Sequence, residues 1–371
     1  MRIAVQAADL DSSRIDGTRV YILNLLKEFG RLDDSSQFLI YHKNTFNPEL
    51  VPPDYKNYKI IKKDFPFLWT QTRFSWEIIK DNPDVLWMPM QALPMIRKKK
   101  LKTVITVHDL AFKYFPRFFP AKDLRRLNFY GDYAIGNANK IIAISQSTKD
   151  DILKFYPAVG EDKIKVISHG FDRAVYEKPR NMEKEAEVKK KYKIEGNYLI
   201  YIGAIQPRKN LEKLVEAFDL VKEVFSDLKL VLAGEKAWLS EGVFEKIRKS
   251  PHKKDIICPG QVNFEDSGHL LRGALVFVFP SLYEGFGIPV LEAFASRVPV
   301  ICSKNSSLPE VGGEAAVYFE DNDAKDLAEK IKEVMNDENL KQAHIAKGLE
   351  QIKKFSWEKC AQETLKYLKE R

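Results

Sequence analysis

The stretch S281-L-Y-E-G-F-G-I-P-V-L-E-A293 sets two glutamates, Glu284 and Glu292, on either side of two glycines and a proline. It follows the apolar run ALVFVF, residues 274–279, which reads as a buried strand. Pro289 suits the first turn of a helix, where its missing N–H is not needed. Gly285 and Gly287 allow a close approach of the backbone to a ligand and can aim N–H groups at an anion. Glu292 is expected near the N-terminal end of that helix, where a carboxylate can accept two hydrogen bonds from a ribose diol. An acid, two glycines and a proline at a strand-to-helix transition contribute little to a core. The segment therefore reads as a ligand loop.

Outward from it, short β-branched runs alternate with amphipathic helical stretches along the chain. In the first half the expected strands are 3–7, 38–42, 85–88, 103–107, 140–145 and 163–168, with a helix over 18–29. A charged segment without an apolar stripe, NMEKEAEVKKKYKIEGN, interrupts the pattern at residues 181–197. The alternation then restarts. Strands are expected at 198–203, 229–234, 255–258, 274–279, 299–303 and 316–319, with helices at 211–224, 243–249, 267–272, 289–296 and 324–336. This pattern predicts an α/β fold of two doubly wound, Rossmann-like parallel-sheet domains facing a cleft. The expected boundaries are 1–180 for an N-terminal domain and 181–350 for a C-terminal domain. A final helix over 357–369, within 351–371, would pack back on the first domain.

The length, 371 residues, is itself too great for one ordinary core. The opening MRIAVQAADLDSS has no apolar leader region and reads as a first strand, and no run approaches the roughly 20 apolar residues of a membrane span. The three cysteines are far apart and form no CxxC pair or His/Cys cluster, so no metal site is expected and the compartment reads as cytoplasmic. The net charge of +8 is unevenly placed: residues 1–180 carry 30 basic and 21 acidic side chains, residues 181–371 carry 30 and 31. The densest run is Arg97-Lys98-Lys99-Lys100 with Lys102. An anionic partner for the first half follows. Nucleic acid is not expected, because no nucleic-acid-binding motif accompanies the charge.

Ligands of such sheets sit outside the carboxyl ends of the strands. After the strand YLIYIG comes A204-I-Q-P-R-K-N210, leading into a helix. Arg208 and Lys209 there suit a phosphate, Arg as a fork and Lys as a point charge. The alternative is a surface turn capped by Asn210. The segment AFKYFPRFFPAKDLRR, residues 111–126, interleaves aromatic and basic groups and follows His108 directly. It suits a membrane interface carrying anionic lipid, sugar stacking, or packing against the next helix.

The order PRKNL, then EGFGIPVLEA, then LPEVGG resembles the retaining nucleotide-sugar-dependent glycosyltransferases of family 4, which have the GT-B fold. The segments IAISQSTKDDI, KVISHGFD, GQVNFED and SSLPEVGGEAAVYFE match in the same order, so the resemblance covers nearly the whole chain. It is strongest to mannosyltransferase-like members that build polysaccharide on a membrane-bound acceptor. The resemblance implies that Arg208 and Lys209 neutralise the donor diphosphate, in place of a metal. Glu292 would hold the ribose. Glu284 would contact the transferred sugar, with the backbone amides of Phe286, Gly287 and Ile288. His108, in TVHDL, would meet the sugar or the charge developing at its anomeric centre, and Gly17 would bring the N-terminal backbone near the phosphates.

No cofactor is implied beyond a GDP- or UDP-sugar donor, and the acceptor would be a glycan or lipid-linked saccharide at the inner face of a membrane. The mechanism implied is front-face attack, with the leaving diphosphate taking the acceptor proton. Two departures stand out: Arg19 occupies the place where relatives often have a second glycine, and Ser296-Arg297 replaces a small pair, without expected consequence. Competing readings are a sugar-nucleotide epimerase and a non-catalytic nucleotide-sugar-binding partner of another transferase. Asp9-Leu10-Asp11 and Asp321-Asn322-Asp323 mimic the DxD metal motif of a different fold and read as loop acids.

Overall fold

Two parallel sheets organise the chain in a computed structural model that describes residues 1–370. The first has seven strands: β1 (Arg2–Gln6), β2 (Gln37–His42), β3 (Tyr58–Lys62), β4 (Val85–Met88), β5 (Lys102–Val107), β6 (Lys140–Ala143) and β7 (Ile164–Val166). Their spatial order is β3-β2-β1-β4-β5-β6-β7. The second has six: β8 (Tyr198–Ile202), β9 (Lys229–Ala233), β10 (Ile256–Gly260), β11 (Val276–Phe279), β12 (Val300–Ser303) and β13 (Val317–Phe319), in the order β10-β9-β8-β11-β12-β13. All the pairings are parallel, as in Ile3↔Phe38, Ile3↔Val85, Leu199↔Leu230 and Leu199↔Val276.

The central strands are buried on both faces, which is why they read as nearly unbroken apolar runs. Ile3, Val5, Leu86, Trp87, Val104 and Ile105 have no exposed surface in the first sheet, nor have Leu199, Ile200, Val231 and Phe277 in the second. The chain runs as two units. One holds Met1–Phe112, Ala121–Gly170 and Phe355–Arg371, and the other holds Lys113–Pro120 and Phe171–Lys354. The last helix, Trp357–Lys369, packs on the helix Gly17–Leu32 of the first unit, burying Trp357, Leu365 and Leu368.

The sequence showed six strands of the first sheet and missed β3. It is the edge strand, and only Ile61 of YKIIK is buried, so it lacks the apolar run that marks its neighbours. A second difference lies in the charged segment after residue 180. It forms a helix, Met182–Lys191, with an Asn181 side-chain cap and only Val188 and Glu185 buried. One buried apolar residue in ten is too few to show as a stripe.

Each sheet reverses its winding once, between β1 and β4 and between β8 and β11. At such a switch point the loops leaving the two neighbouring strands diverge to opposite faces and open a crevice at their carboxyl ends.

Candidate active site

In the second unit, the two loops at the switch point carry the residues singled out above. The loop after β8 forms a short 3-10 turn, Pro207–Lys209, and the next helix starts at Leu211. Asn210 joins them in a left-handed conformation at φ 55° and makes no side-chain cap bond. The alternative of a surface turn capped by Asn210 therefore fails: Lys209 and Asn210 are both buried.

The loop after β11 comes against this turn. Leu282 N–H donates to Arg208 O at 2.9 Å, and the Arg208 guanidinium donates to Tyr283 O. Lys209 Nζ lies 2.5 Å from one Glu284 oxygen, and Arg208 Nη1 lies 3.3 Å from the other. Burial would raise the Glu284 carboxyl, but Lys209 and Arg208 outweigh it and hold the group down at about 2. Glu284 is thus ionised at any physiological pH. Two cations thus face one carboxylate at the crevice.

The loop's shape is fixed from a third element. Glu284 N–H donates to Ser306 Oγ at 2.9 Å, and Ser307 Oγ contacts Glu284 O at 2.9 Å and Phe286 O at 2.8 Å. Gly287 precedes the helix Ile288–Ala295 at φ 108°, and a Cβ there would stand 2.9 Å from Leu308 Cδ2. The backbone angle therefore demands glycine, and an added Cβ would press on the end of the Leu308 side chain. Val290 N–H bonds back to Gly287 O at 3.0 Å and Pro289 has no N–H, so the Gly287 and Ile288 amides stand at the positive end of the helix dipole.

Glu292 is not at the start of the helix, as expected from the sequence, but is its fifth residue. The helix already begins at Ile288, ahead of the proline. Its surroundings differ from those of Glu284. Burial raises the Glu292 carboxyl to about 7, against a hydrogen bond from Tyr176 and with the nearby Asp172 adding to the rise. The Tyr176 hydroxyl also lies 2.9 Å from Ser267 Oγ.

Tyr176, Ser306 and Ser307 are the site residues that sequence reading did not single out. Their only signal is position, in VISHGFDRAVY and NSSLPEV, since a buried tyrosine and a pair of serines are common anywhere.

His108 and Gly17 belong to the first unit. His108 follows β5, and its Nε2 lies 2.8 Å from Pro89 O. A carbonyl can only accept, so Nε2 carries the proton and Nδ1 presents the lone pair. Burial lowers its pKa, with Pro89 O working the other way, so the ring is neutral at pH 7. Tyr21 meets it edge-on at 5.1 Å.

Gly17 is the first residue of the helix Gly17–Leu32 and is exposed. Arg19 folds back on acids of its own unit: Nη1 lies 2.5 Å from Asp16 Oδ2 and Nε donates to Asp9 O at 3.2 Å. Asp11, of the DxD-like run, accepts from the backbone N–H of Lys43 at 2.9 Å and of Asn44 at 2.7 Å and so closes a loop. Among the described residues no group of three or more His, Cys, Asp or Glu side chains is arranged to hold a metal.

Comparison with known proteins gives the family. The family model described as Glycosyltransferase Family 4 matches residues 15–175, and that described as Glycosyl transferases group 1 matches residues 182–351. The O-antigen chain mannosyltransferase B of Escherichia coli is 31% identical over 268 residues, covering 71% of this chain and 69% of that protein. The chain is a glycosyltransferase and belongs to this family. The serotype-specific mannosyltransferase WbdA of Escherichia coli is 29% identical over 271 residues, or 70% of this chain, but this is only 32% of that longer protein. Among solved structures, Anabaena HepE in complex with UDP and glucose superposes with a TM-score of 0.76 at 16% identity, over 100% of both chains. The fold is GT-B.

Proposed function

We propose that the chain transfers a hexose, mannose foremost, from a GDP- or UDP-sugar to a glycan or lipid-linked saccharide. In this reading the anomeric configuration is retained, no metal takes part, and the work is done at the cytoplasmic face of a membrane. The observation that supports it most is the gathering of Arg208 and Lys209 on Glu284 at the β8/β11 switch point. Two cations against one carboxylate, at the N-terminal end of a helix, suit a diphosphate leaving group better than a neutral ligand. Mannose is favoured because mannosyltransferases of O-antigen synthesis stand among the relatives.

In this reading the residues take the following roles. Arg208 and Lys209 stabilise the charge that builds on the departing diphosphate. The amides of Phe286, Gly287 and Ile288, with Glu284, orient the donor's sugar and phosphates. Glu292, presented with Tyr176, takes the ribose hydroxyls. His108, neutral and with its lone pair on Nδ1, serves the sugar end, and the Gly17 backbone serves the phosphates.

A thermal-shift series with GDP, UDP, ADP and their hexose conjugates, without metal, tests the donor site. A ligand at a hundred times its dissociation constant adds about 2.7 kcal/mol of stability. One base is expected to raise the melting temperature, and silence across the series would overturn the reading. Turnover should survive a chelator, and loss restored by manganese would overturn metal independence. The anomeric proton of the product, by NMR, decides retention.

A further inference from the structure

The four most exposed large apolar residues of the first unit come from neighbouring segments. Phe67 is 74% exposed, Leu68 64%, Trp76 66% and Ile96 68%. Three segments bring them together. Thr72, before the helix Arg73–Asp81, donates from Oγ1 to Phe67 O at 3.0 Å and Leu68 O at 3.1 Å. Ser75 Oγ donates to Ile96 O. Gln71 clasps the second segment, donating to Leu93 O at 3.1 Å and accepting from Met95 N–H at 2.9 Å. Leu68 is held at φ 41°, a left-handed conformation that a leucine adopts only under constraint. Trp69 anchors the loop from inside, its indole N–H bonded to Lys63 O at 2.6 Å. The Phe67-Leu68 tip is therefore a built projection.

Lysines border the patch. Lys80 lies one turn beyond Trp76 on the same helix face, and Lys98 Nζ reaches Asn82 Oδ1 at 2.6 Å at that helix's end. Lys99 and Lys100 follow, both exposed. The helix's own acids do not offset them: Glu77 is buried and paired with Arg73 at 2.7 Å, and Asp81 accepts from the Tyr41 hydroxyl at 2.6 Å. The two ends of the basic run are also spoken for, since Arg97 binds Pro94 O and the Tyr133 hydroxyl, and Lys102 binds Leu368 O.

The geometry points to this patch as a docking surface for an anionic lipid bilayer, with Phe67, Leu68, Trp76 and Ile96 entering the interface and Lys98–Lys100 meeting the headgroups. Aromatic tips rimmed by lysine suit lipid, whereas protein–protein interfaces are depleted in lysine. The position also fits. The two loops leave the carboxyl ends of β3 and β4, at the rim of the sheet where His108 leaves β5. Hydrogen bonds carry that rim across: His108 to Pro89 O, Gln91 to Asp109 O at 3.2 Å, and Gln71 to the 93–95 loop. The aromatic segment 111–126 is a poorer candidate. Tyr114 packs on Tyr283 at 5.4 Å and Phe119 on Trp238 at 6.2 Å, so much of its ring surface is already used.

Co-sedimentation of the full chain with vesicles tests this, using phosphatidylcholine alone and phosphatidylcholine with about a third phosphatidylglycerol. Binding to the anionic vesicles is expected, at least tenfold tighter than to the neutral ones and weakened by salt. Lys98→Glu/Lys99→Glu/Lys100→Glu should lower it by about a hundredfold, near fivefold per lost charge or more. Phe67→Ser/Trp76→Ser should lower it by tenfold or more, while Val224→Ser, exposed in the other unit, should not. All these side chains are exposed, so melting temperatures should hold.

Equal binding to both vesicles, or variants that bind like the parent, would overturn the inference. So would a dimer in sedimentation velocity that Phe67→Ser/Trp76→Ser abolishes. The surface does not depend on the donor reading: turnover on a soluble saccharide, measured with the same variants, reports on transfer alone.

Discussion

Lys209 and Glu284, 75 positions apart in the chain, meet at 2.5 Å with both side chains nearly withdrawn from water. Each would be costly to bury alone. Removing one member of a buried pair leaves the other uncompensated, which costs about 3–5 kcal/mol. Glu284→Ala should therefore lower stability by roughly 3 kcal/mol in chemical denaturation, and Glu284→Gln by less. The pair also sets an acid limit. Glu284 titrates near 2 in the fold against 4.5 ordinarily, so its contribution is complete above about 4.5 and fades as pH falls toward 2. The Glu284→Gln variant should lose that slope between pH 5 and 2.

Glu292 behaves oppositely. Its carboxyl is raised to about 7, so ionising it in the fold opposes stability. The opposition is absent below about 4.5 and grows as pH rises toward 7. Glu292→Gln should therefore melt higher than the parent at pH 8 and equal to it near pH 4.5. If the ionised form takes the ribose, nucleotide affinity of the parent rises from pH 6 to 8 and that of Glu292→Gln stays flat. Titration calorimetry across that range checks both.

Arg208→Ala and Lys209→Ala should each lower turnover about a hundredfold, the cost of roughly 3 kcal/mol of lost charge stabilisation in the transition state. Lys209→Ala should also cost stability, because Glu284 keeps only Arg208. Steady-state kinetics on folded protein decides the matter, and near-parental turnover in both would remove the diphosphate assignment.

Gly287→Ala should destabilise by about 1–3 kcal/mol and weaken nucleotide binding, since φ 108° is strained for any side chain and the added Cβ would push Leu308 Cδ2 aside. Ser307→Ala should cost about 1–2 kcal/mol by freeing the carbonyls of Glu284 and Phe286.

Arg297 gives a prediction in the other direction. It ends the helix Ile288–Ala295 at φ 60°, with Val298 N–H bonded to Ala293 O at 3.1 Å, the closing bond of a Schellman turn. Glycine belongs at that position. Arg297→Gly should stabilise by about 1 kcal/mol in thermal melts. The pair Ser296-Arg297 is thus not neutral, as its reading in the sequence supposed.

What could be read from the sequence followed burial. Strands covered on both faces, such as β4 and β11, stand out as apolar runs, while β3, wet on one side of the sheet's edge, does not. At the site, the charged residues Arg208, Lys209 and Glu284 were visible because charge beside glycine and proline is unusual at a strand end. Their mutual pairing was not, since nothing in PRKNL states that it will meet YEGFG. Tyr176 and the serines 306 and 307 were hidden for a related reason. They act by holding Glu292 and the glycine loop in place, and residues that hold others need no distinctive type.

The closing helix Trp357–Lys369 belongs to the unit that begins at Met1. During synthesis the first sheet has all seven strands by Val166, but the groove over the helix Gly17–Leu32 stays uncovered until every residue of the other unit has been made. The second unit, by contrast, runs unbroken from Phe171 to Lys354 apart from Lys113–Pro120, so it needs nothing made later than itself. A chain stopped before Phe355 would leave the later-numbered half whole and the helix Gly17–Leu32 of the earlier half uncovered, and so exposed to chaperones and proteases.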